Sequence, residues 1–525
     1  MKDYEKTTAF LGQWGPFQKI VFFLLCTSTV PNGFSAFSVI FLADIPDHHC
    51  QIPGTNLSYN PEDVNLTEIE QEKCVDGWMY SKHIYQSTIV TEFDLVCDDE
   101  WKQPFTSSIY FIGVLCGSFF SGQISDRFGR KPVLFVTMMV QTFFTFIQVF
   151  VPSWELFSVL FFIVGLGQIS NYVAAFVLGT EILSGGVRVL YSSLGVCFFF
   201  AIGYMMLPLM AFLIRSWRML LVALSVPGLI YIPLWWFIPE SPRWLISQGK
   251  LEEAEAIVKN AAKKNKVTPP DIIFNEIGVN KYIDLLTDNI RRTTLILFLV
   301  WLTLSMGYFG LSLNTSRLHG DPFVNCFISA AIEVPAYVTS WLSLRYLPRR
   351  LSCSASMLLG GGVLYFIQLV PPSLPSLSVA LEMMGKFGIA IGTALMFTYT
   401  GELYPTVLRN TAVGSCAMVS RVGSAIAPYF IHLSVYHEHL PYILLGTLCL
   451  LSSTTTLFLP ESFNQPLPET IEQMQKRDRY YEVFCCFFFF TILKIFKAIY
   501  SKYSKIYKAT SQTLDKYVFN IDNLE

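Results

Sequence analysis

Six residues between two long apolar runs, Asp126 to Lys131, constrain the fold of this chain more than any other feature. They read Asp-Arg-Phe-Gly-Arg-Lys, and three cations and one anion in so short a stretch cannot lie in the hydrocarbon of a membrane. The stretch therefore predicts a tight turn at a membrane surface, between two membrane-spanning helices. Because basic loops face the cytoplasm, we place this turn on the inner side.

The chain also repeats charged and proline-containing positions at a spacing of 221 residues. The repeated pairs are Glu181 and Glu402, Arg188 and Arg409, and Pro239-Glu240-Ser241 and Pro460-Glu461-Ser462. A repeat that spans several apolar segments predicts two homologous halves, which is the arrangement of many secondary transporters.

Composition supports a polytopic membrane protein, because 52% of the 525 residues are hydrophobic and only 14% are charged, against about 25% in typical soluble domains. We predict an all-α membrane protein with twelve transmembrane helices in two pseudo-symmetric six-helix halves. The spans lie roughly at 20–42, 105–125, 132–151, 155–178, 190–213, 218–238, 293–313, 322–346, 353–371, 376–400, 411–434 and 440–459. The net charge of −2 gives no indication of nucleic-acid binding.

Six regions follow from these spans. They are a cytoplasmic N-terminus with the first membrane helix (1–43), an extracellular loop (44–103), the remainder of the first half (104–238), a cytoplasmic loop (239–292), the second half (293–460) and a cytoplasmic tail (461–525). The tail contains a short apolar stretch, Val483 to Leu493, which is too short to span a membrane and predicts an interfacial helix.

The 44–103 loop has the composition of an extracellular segment. It contains thirteen acidic and three basic residues, and the sequons at Asn56 and Asn65 predict glycosylation. Its three cysteines, Cys50, Cys74 and Cys97, predict one disulfide, whose pairing the sequence leaves open.

Two motifs resemble those of the major facilitator superfamily, Gly122 to Lys131 between helices and Pro239 to Leu245 after the sixth span. The large loop after the first span narrows the resemblance to the organic cation and anion transporters. Further stretches are similar to the novel organic cation/carnitine transporters, namely Tyr4 to Phe17, Pro31 to Phe34, Gly167 to Tyr172 and Thr400 to Pro405. The resemblance covers about residues 1–475 and implies a major facilitator fold.

Arg421 is the strongest candidate for binding a substrate, because it lies in the middle of an apolar span. An unpaired guanidinium there costs at least a few kcal/mol, and its planar donor fork matches a carboxylate. The resemblance implies the same role, since carnitine and anion transporters carry Arg at this place. The alternative is a structural ion pair or a side chain that snorkels.

Aromatic residues in the central helices predict a cage for a quaternary ammonium group, which cannot donate hydrogen bonds and is held by ring faces. The candidates are Tyr172, Phe200, Tyr204, Trp301, Tyr308, Phe397 and Tyr399, with Asn171 beside Tyr172 in the matching motif. Each of these rings could instead serve packing. Together, Arg421 and a cage predict a zwitterionic betaine such as carnitine or ergothioneine.

Three amides on separate first-half helices, Asn32, Gln141 and Gln168, resemble a sodium or polar substrate site. The alternative is hydrogen bonding between helices. Glu333 and Lys386 are further charges within spans, and we expect Lys386 to pair with Glu333 or with Glu382.

Charges at the inner ends of the helices predict a gate that locks the outward-facing state. The first-half set is Asp126, Arg127, Arg130, Lys131, Glu181, Arg188, Glu240 and Arg243, and the second-half set is Arg349, Arg350, Glu402, Arg409 and Glu461. The alternative is that these charges only mark topology.

The sequence thus predicts a multi-pass plasma-membrane transporter, with both termini cytoplasmic, that takes up carnitine with sodium as the co-transported ion and needs no cofactor. A first alternative is transport of ergothioneine or of organic cations without strict sodium dependence. A second is a non-transporting receptor or scaffold. We do not expect an enzyme, because no nucleophile, base or metal cluster appears, nor ATP binding, because Gly179 to Gly186 lacks a phosphate-binding Lys.

Overall fold

Long helices make up almost all of the structure, which is a computed structural model. It describes residues 7–50, 74, 77–268, 270, 288–371, 373–404, 409–437 and 439–463. The first half contains α1 (Pro16–Leu42), α2 (Lys102–Phe128), α3 (Arg130–Ile147), α4 (Trp154–Ile182), α5 (Val196–Leu213) and α6 (Trp217–Tyr231). The second half contains α7 (Asp288–Leu313), α8 (Pro322–Tyr346), α9 (Arg349–Phe366), α10 (Pro375–Leu403), α11 (Arg409–His432) and α12 (Leu440–Thr456).

Among the described residues, ten of these helical segments are long and apolar enough to cross a membrane. The other two are α11, which carries Arg421, and α12, which is 17 residues long. The prediction of an all-helical membrane fold with twelve helices is confirmed.

Interruptions in α1 and α5 bring backbone and polar groups into the interior. α1 breaks after Thr27, where the hydroxyls of Ser28 and Thr29 donate to the carbonyls of Leu25 and Cys26 at 2.6 and 2.7 Å. The helix restarts at Val30 with a proline in its first turn, where the missing N–H breaks no helical hydrogen bond. α5 continues the short helix Gly185–Leu190 through a π-helical turn at Tyr191–Gly195.

Glycines allow neighbouring helices to approach closely within each half. A Cβ added at Gly113 of α2 would lie 2.2 Å from the carbonyl oxygen of Phe162 on α4. In the second half, a Cβ at Gly423 of α11 would lie 2.5 Å from the carbonyl oxygen of Leu302 on α7. Small residues at such crossings allow the tight packing that holds membrane helices together.

The two halves meet along α2 and α11 and along α5 and α8. At the predicted extracellular end, the ring of Phe323 on α8 stacks on Phe41 of α1 at 5.3 Å and lies 5.8 Å from the ring of Tyr85. Arg317 of the second half donates a hydrogen bond of 2.9 Å to Gln103 of the first. The two halves are therefore in contact at this end of the molecule.

The 44–103 loop forms a small antiparallel hairpin from β1 (His48–Cys50) and β2 (Trp78–Tyr80). A disulfide joins Cys50 to Cys74, and Cys97 is a free, exposed thiol. The predicted glycosylation sites at Asn56 and Asn65 lie outside the described residues, as does the predicted interfacial helix of the tail.

The 239–292 loop contains two helices, Pro242–Ser247 and Leu251–Asn265. Asn265 fixes the second helix to the start of α1. It donates to Gln18 at 2.8 Å and to the carbonyl of Leu11 at 3.0 Å, and it accepts from the amide of Phe17 at 2.9 Å. The loop is thereby held against the first half.

Candidate functional site

Arg421 of α11 is a partly buried cation without a counter-ion among the described residues. Its Nε atom is buried and has no hydrogen-bond partner there, and the ionisable groups that act on its charge are the phenols of Tyr110 on α2 and Tyr172 on α4. Within the described ranges there is therefore no acidic partner for the structural ion pair that was the alternative interpretation. A guanidinium held in this way can bind a carboxylate ligand.

An aromatic surface lies on the first-half side of Arg421. The rings of Tyr172 and Phe200 meet edge to face at 6.4 Å, and Phe37 contacts Phe200 at 6.3 Å. Tyr172 and Phe200 are only partly buried, so their rings are accessible to a ligand. These two rings fit the predicted cage best.

Asn32, Asn171 and Gln141, which we call the amide cluster, are buried amides on α1, α4 and α3, and Asn171 directly precedes Tyr172. Asn32 donates to Asn171 at 3.4 Å, and Gln141 donates to Ser35 at 3.0 Å. The Oδ1 of Asn32, the Oε1 of Gln141 and the Nδ2 of Asn171 are buried and have no partner among the described residues. Unsatisfied buried amides are rare in proteins, so the cluster suits a polar ligand or an ion. Gln168, one turn before Tyr172 on α4, is also buried.

Trp301 and Tyr399 are engaged in packing within the second half. The indole of Trp301 donates to Thr400 at 3.1 Å and meets the exposed ring of Phe397 edge to face at 4.5 Å. The hydroxyl of the fully buried Tyr399 donates to the carbonyl of Pro460 at 2.7 Å, at the predicted cytoplasmic end. In the structure Tyr399 thus serves packing, which was the alternative for each of these rings.

The rings of Tyr204 and Tyr308 contact the ammonium group of Lys386. The Nζ of Lys386 lies 4.6 Å from the ring centroid of Tyr204 and 5.6 Å from that of Tyr308. Lys386 also pairs with Glu333 at 3.3 Å and donates to Ser329 at 2.7 Å. Of the two pairings considered for Lys386, the direct ion pair is the one with Glu333.

Glu382 has separate partners. It accepts hydrogen bonds from Asn314 at 3.1 Å and from the hydroxyl of Tyr442 at 2.7 Å. These contacts join the outer ends of α7, α10 and α12.

The first-half charges converge on Arg130 at the predicted cytoplasmic end. Its guanidinium forms two hydrogen bonds of 3.1 Å with Glu181 and an ion pair of 2.8 Å with Asp126. Glu240 accepts from the backbone amides of Arg130 and Lys131, both at 3.1 Å. Burial raises the pKa of Glu240, although these backbone donors oppose the shift.

The second half repeats this cluster around Arg349. Its guanidinium donates to Glu402 at 3.2 Å, and its backbone amide donates to Glu461 at 2.8 Å. The amide of Arg350 donates to Glu461 at 3.1 Å, and Ser462 donates to Glu402 at 2.6 Å. Each of these clusters lies within one half, where it connects the ends of neighbouring helices.

The remaining predicted gating residues have other surroundings. Arg127 is exposed and stacks on Phe128 at 5.6 Å, Arg188 donates to the carbonyl of Leu183 at 2.9 Å, and Arg243 lies on the helix Pro242–Ser247. The side chain of Arg409 lies outside the described residues.

Sequence reasoning missed Tyr110 and Ser35, because a tyrosine and a serine in apolar helices carry no distinguishing pattern. It also missed the partner of Arg218, one of two arginines on the predicted outer side. Arg218 forms an ion pair with Glu92, and its Nη2 donates to the carbonyl of Val151 at 3.1 Å.

The sequence matches the family described as "Sugar (and other) transporter" over residues 75–474. The chain therefore belongs to the sugar (and other) transporter family, and it is a multi-pass membrane transporter rather than an enzyme.

Similar proteins of known name indicate which members of this transporter family the chain resembles most in sequence. The chain is 53% identical to the human organic cation/carnitine transporter 2, over 90% of this chain and 94% of the relative. It is 52% identical to mouse solute carrier family 22 member 4, over 91% and 95%, and 33% identical to a Drosophila melanogaster organic cation transporter protein, over 89% and 94%. The resemblance predicted from the motifs is confirmed.

Solved structures share the fold at low sequence identity. The xylose transporter XylE of E. coli in a partially occluded inward-open conformation has a TM-score of 0.60 at 15% identity, covering 86% of this chain and all of that chain. A D-xylose-proton symporter has a TM-score of 0.59 at 14% identity, over 85% and 98%.

Proposed function

We propose that this chain is a plasma-membrane transporter of zwitterionic betaines and organic cations, with sodium-coupled carnitine uptake as its main activity. The observation that carries the proposal is Arg421, a mid-membrane guanidinium with a buried, unpartnered Nε and no counter-ion among the described residues. A substrate carboxylate would supply the missing counter-ion. The relatives named for organic cations and carnitine support the same cargo class.

The other end of a betaine fits the aromatic surface of Tyr172 and Phe200. A trimethylammonium group gains about 0.5–2 kcal/mol from a ring face, depending on how dry the contact is. Tyr172 is one of the two phenols that act on the guanidinium of Arg421, so one small zwitterion could contact both. A simple anion would use Arg421 but not the rings, and a simple cation would use only the rings.

Sodium coupling is proposed on the amide cluster. Asn32 and Gln141 each leave a buried amide oxygen without a partner among the residues that the structure describes. Carbonyl oxygens of this kind are the ligands that hard cations such as sodium prefer. Because Asn32 also contacts Asn171, the neighbour of Tyr172, occupation of the cluster could order the substrate surface.

The contacts between the two halves support a mechanism of alternating access. Phe41, Phe323 and the hydrogen bond from Arg317 to Gln103 join the halves at the predicted extracellular end. The Arg130 and Arg349 clusters instead stiffen the cytoplasmic end of each half. A rocking motion could then open the molecule on either side without breaking either cluster. Both termini are proposed to be cytoplasmic.

The test is uptake of labelled carnitine and ergothioneine by cells that express the wild type, Arg421→Ala or Arg421→Lys at equal surface levels. We expect saturable carnitine uptake that requires sodium, is lost in Arg421→Ala and is only partly retained in Arg421→Lys, because an ammonium cannot form the two-point contact.

Three other results would overturn parts of the proposal. Full uptake by Arg421→Ala excludes the carboxylate clamp. Preferred uptake of ergothioneine, or uptake that persists without sodium, moves the activity to the broader organic cation class. Absence of uptake for betaines, cations and anions, despite normal surface levels, points to a receptor or scaffold instead.

A further inference from the structure

Tyr110 of α2 has a buried hydroxyl group that none of the described residues satisfies. The residue is 0% exposed, and its Oη has no hydrogen-bond partner in the part of the chain that the structure describes. A buried phenol in this situation is unfavourable, because its hydroxyl has lost the hydrogen bonds that it formed with water. Among the described residues, this hydroxyl therefore keeps an unused capacity for a hydrogen bond.

The packing around Tyr110 restricts its ring. The ring lies 4.7 Å from that of Phe161 on α4 and meets the ring of Phe111 edge to face at 5.3 Å. A Cβ added at Gly165, also on α4, would lie 3.3 Å from the Cδ2 atom of Tyr110. Because α4 approaches so closely, a partner for the hydroxyl has to come to Tyr110.

Arg421 provides the matching unsatisfied group. The helices that carry the two residues, α2 and α11, pack against each other where the two halves meet. Tyr110 is one of the two phenols that act on the guanidinium of Arg421, whose buried Nε has no partner in the described ranges. An Nε–H group only donates, whereas a phenol oxygen can accept, so the two groups are complementary.

We propose that Tyr110 is a positioning residue for the carboxylate clamp. When a substrate carboxylate binds the two terminal nitrogens of Arg421, the Nε–H group donates to the hydroxyl oxygen of Tyr110. This hydrogen bond fixes the plane of the guanidinium, on which the two-point contact with a carboxylate depends. The inference rests on the proposed function and deepens it, because it names a residue that strengthens binding of carboxylate-bearing cargo. Simple organic cations, which use only the aromatic surface, remain cargo.

The contact serves binding rather than folding. Neither the Nε of Arg421 nor the hydroxyl of Tyr110 has a partner within the described segments, so the packing of α2 against α11 does not depend on a hydrogen bond between them. Ordering a guanidinium costs side-chain entropy, and a second hydrogen bond from the same group offsets part of that cost. Carboxylate binding and formation of the Tyr110 contact therefore favour each other.

The test is carnitine uptake by cells that express the wild type, Tyr110→Phe or Tyr231→Phe, normalised to surface protein. Tyr110→Phe keeps the ring and removes only the hydroxyl. We expect it to raise the KM for carnitine about tenfold, equivalent to about 1.4 kcal/mol of binding, and to change the maximal rate less than twofold. Tyr231→Phe is the matched control. It removes a hydrogen bond of 3.0 Å to the carbonyl of Leu24 at the end of α6 and should leave the KM unchanged.

Two further readouts distinguish positioning from a structural role. The inhibition constant of unlabelled tetramethylammonium against carnitine uptake should be the same in Tyr110→Phe and the wild type, because this cation carries no carboxylate. The thermal denaturation midpoint of purified Tyr110→Phe should equal or exceed that of the wild type, since the removed hydroxyl was unsatisfied. An inhibition constant that rises as much as the KM, or a lower midpoint, overturns the proposal.

Double variants show whether Tyr110 acts through Arg421. A lysine has no N–H group at the position of Nε, so adding Tyr110→Phe to Arg421→Lys should not raise the KM further. Tyr172→Phe tests the other phenol that acts on Arg421, and it should raise the KM less than Tyr110→Phe does. A further rise in the double variant overturns the proposal, as does a larger effect of Tyr172→Phe.

Arg421→Ala separates failure of this inference from failure of the proposed function. Carnitine uptake that is lost in Arg421→Ala but keeps the wild-type KM in Tyr110→Phe overturns the inference alone. Absence of carnitine uptake by the wild type overturns both, because Tyr110 then has no carboxylate clamp to position.

Discussion

Arg130 and Arg349 occupy equivalent positions in the two halves. Each guanidinium binds the glutamate near the end of a membrane helix, and each backbone amide binds the glutamate of a Pro-Glu-Ser motif. The two arginines are largely buried, with side-chain exposures of 11% and 14%. The same arrangement of three chain segments thus occurs once in each half. We expect each cluster to move as a rigid unit during transport.

Loss of either arginine should therefore slow transport more than it weakens binding. We expect Arg130→Ala and Arg349→Ala to lower the maximal uptake rate about tenfold, since charge-assisted hydrogen bonds contribute about 1.5–3 kcal/mol. The KM should change less than twofold, because neither residue contacts the proposed substrate site. Uptake kinetics normalised to surface protein would measure both quantities.

Arg127→Ala is the matched control, because Arg127 is exposed and stacks only on its neighbour Phe128 among its described contacts. Its uptake should match the wild type. Equal losses in Arg127→Ala and Arg130→Ala would show that these charges only mark topology.

The fold could be predicted from sequence because its determinants are local. Apolar runs, charged turns and repeated motifs each act over a few residues, and the lipid environment permits only helices or closed barrels. The spacing of the repeats was less informative, since Arg130 and Arg349 are 219 residues apart, whereas Glu181 and Glu402 are 221 apart. A scan at one fixed spacing therefore does not identify the two arginines as equivalent.

The site was less predictable because side-chain partners depend on how the helices are rotated. Only the matching motif that contains Asn171 distinguished Tyr172 from Tyr204, Tyr308 and Tyr399 in sequence. In the structure two of them hold Lys386, one donates to Pro460, and only Tyr172 lies beside Arg421. The predicted ends of a membrane helix show how deep in the membrane an aromatic residue lies. They do not show in which direction its ring points.

Tyr172 and Tyr399 should consequently respond differently to substitution. Tyr172→Leu removes a ring face near Arg421 and should raise the KM for carnitine about fivefold, equivalent to about 1 kcal/mol. Tyr399→Phe removes only the hydrogen bond to Pro460 and should lower the free energy of unfolding by about 1 kcal/mol without changing the KM. Uptake kinetics and thermal denaturation of the purified variants would separate the two effects. A raised KM in Tyr399→Phe would return that residue to the substrate site.

Arg218 is an exception to the rule that places positive charges inside, and its partner predicts a pH dependence. Burial alone would raise the pKa of Glu92, but the hydrogen bonds from Arg218 and Trp217 and the charge of Arg218 outweigh burial and lower the pKa below its usual value of 4.5. A carboxyl whose pKa is lowered by folding adds stability above its unfolded pKa and loses it as the pH falls through its folded pKa.

Glu92→Gln should therefore denature at a lower temperature than the wild type at pH 7, and the difference should shrink as the pH falls below about 4.5. The denaturation midpoint of both purified proteins, measured from pH 7 to pH 3, would show the convergence. Glu155→Gln, at an exposed position on the same side, provides the control and should track the wild type throughout. Parallel curves for Glu92→Gln and wild type would show that the ion pair does not stabilise the fold.

Cys97 gives a direct test of orientation. It is the one exposed free thiol among the described cysteines, whereas Cys50 and Cys74 are joined and the others lie buried or partly buried within helices. A membrane-impermeant maleimide applied to intact cells should label the wild type and should not label Cys97→Ser, because alkylation requires an accessible thiol.

The same experiment can contradict the proposed topology. Labelling that appears only after the cells are permeabilised, and that Cys97→Ser lacks, would place the 44–103 loop in the cytoplasm and reverse both halves. Labelling that persists in Cys97→Ser would show that a second thiol is accessible from outside. Prior reduction should add Cys50 and Cys74 to the labelled positions, because breaking their disulfide releases two further thiols near the surface of the loop.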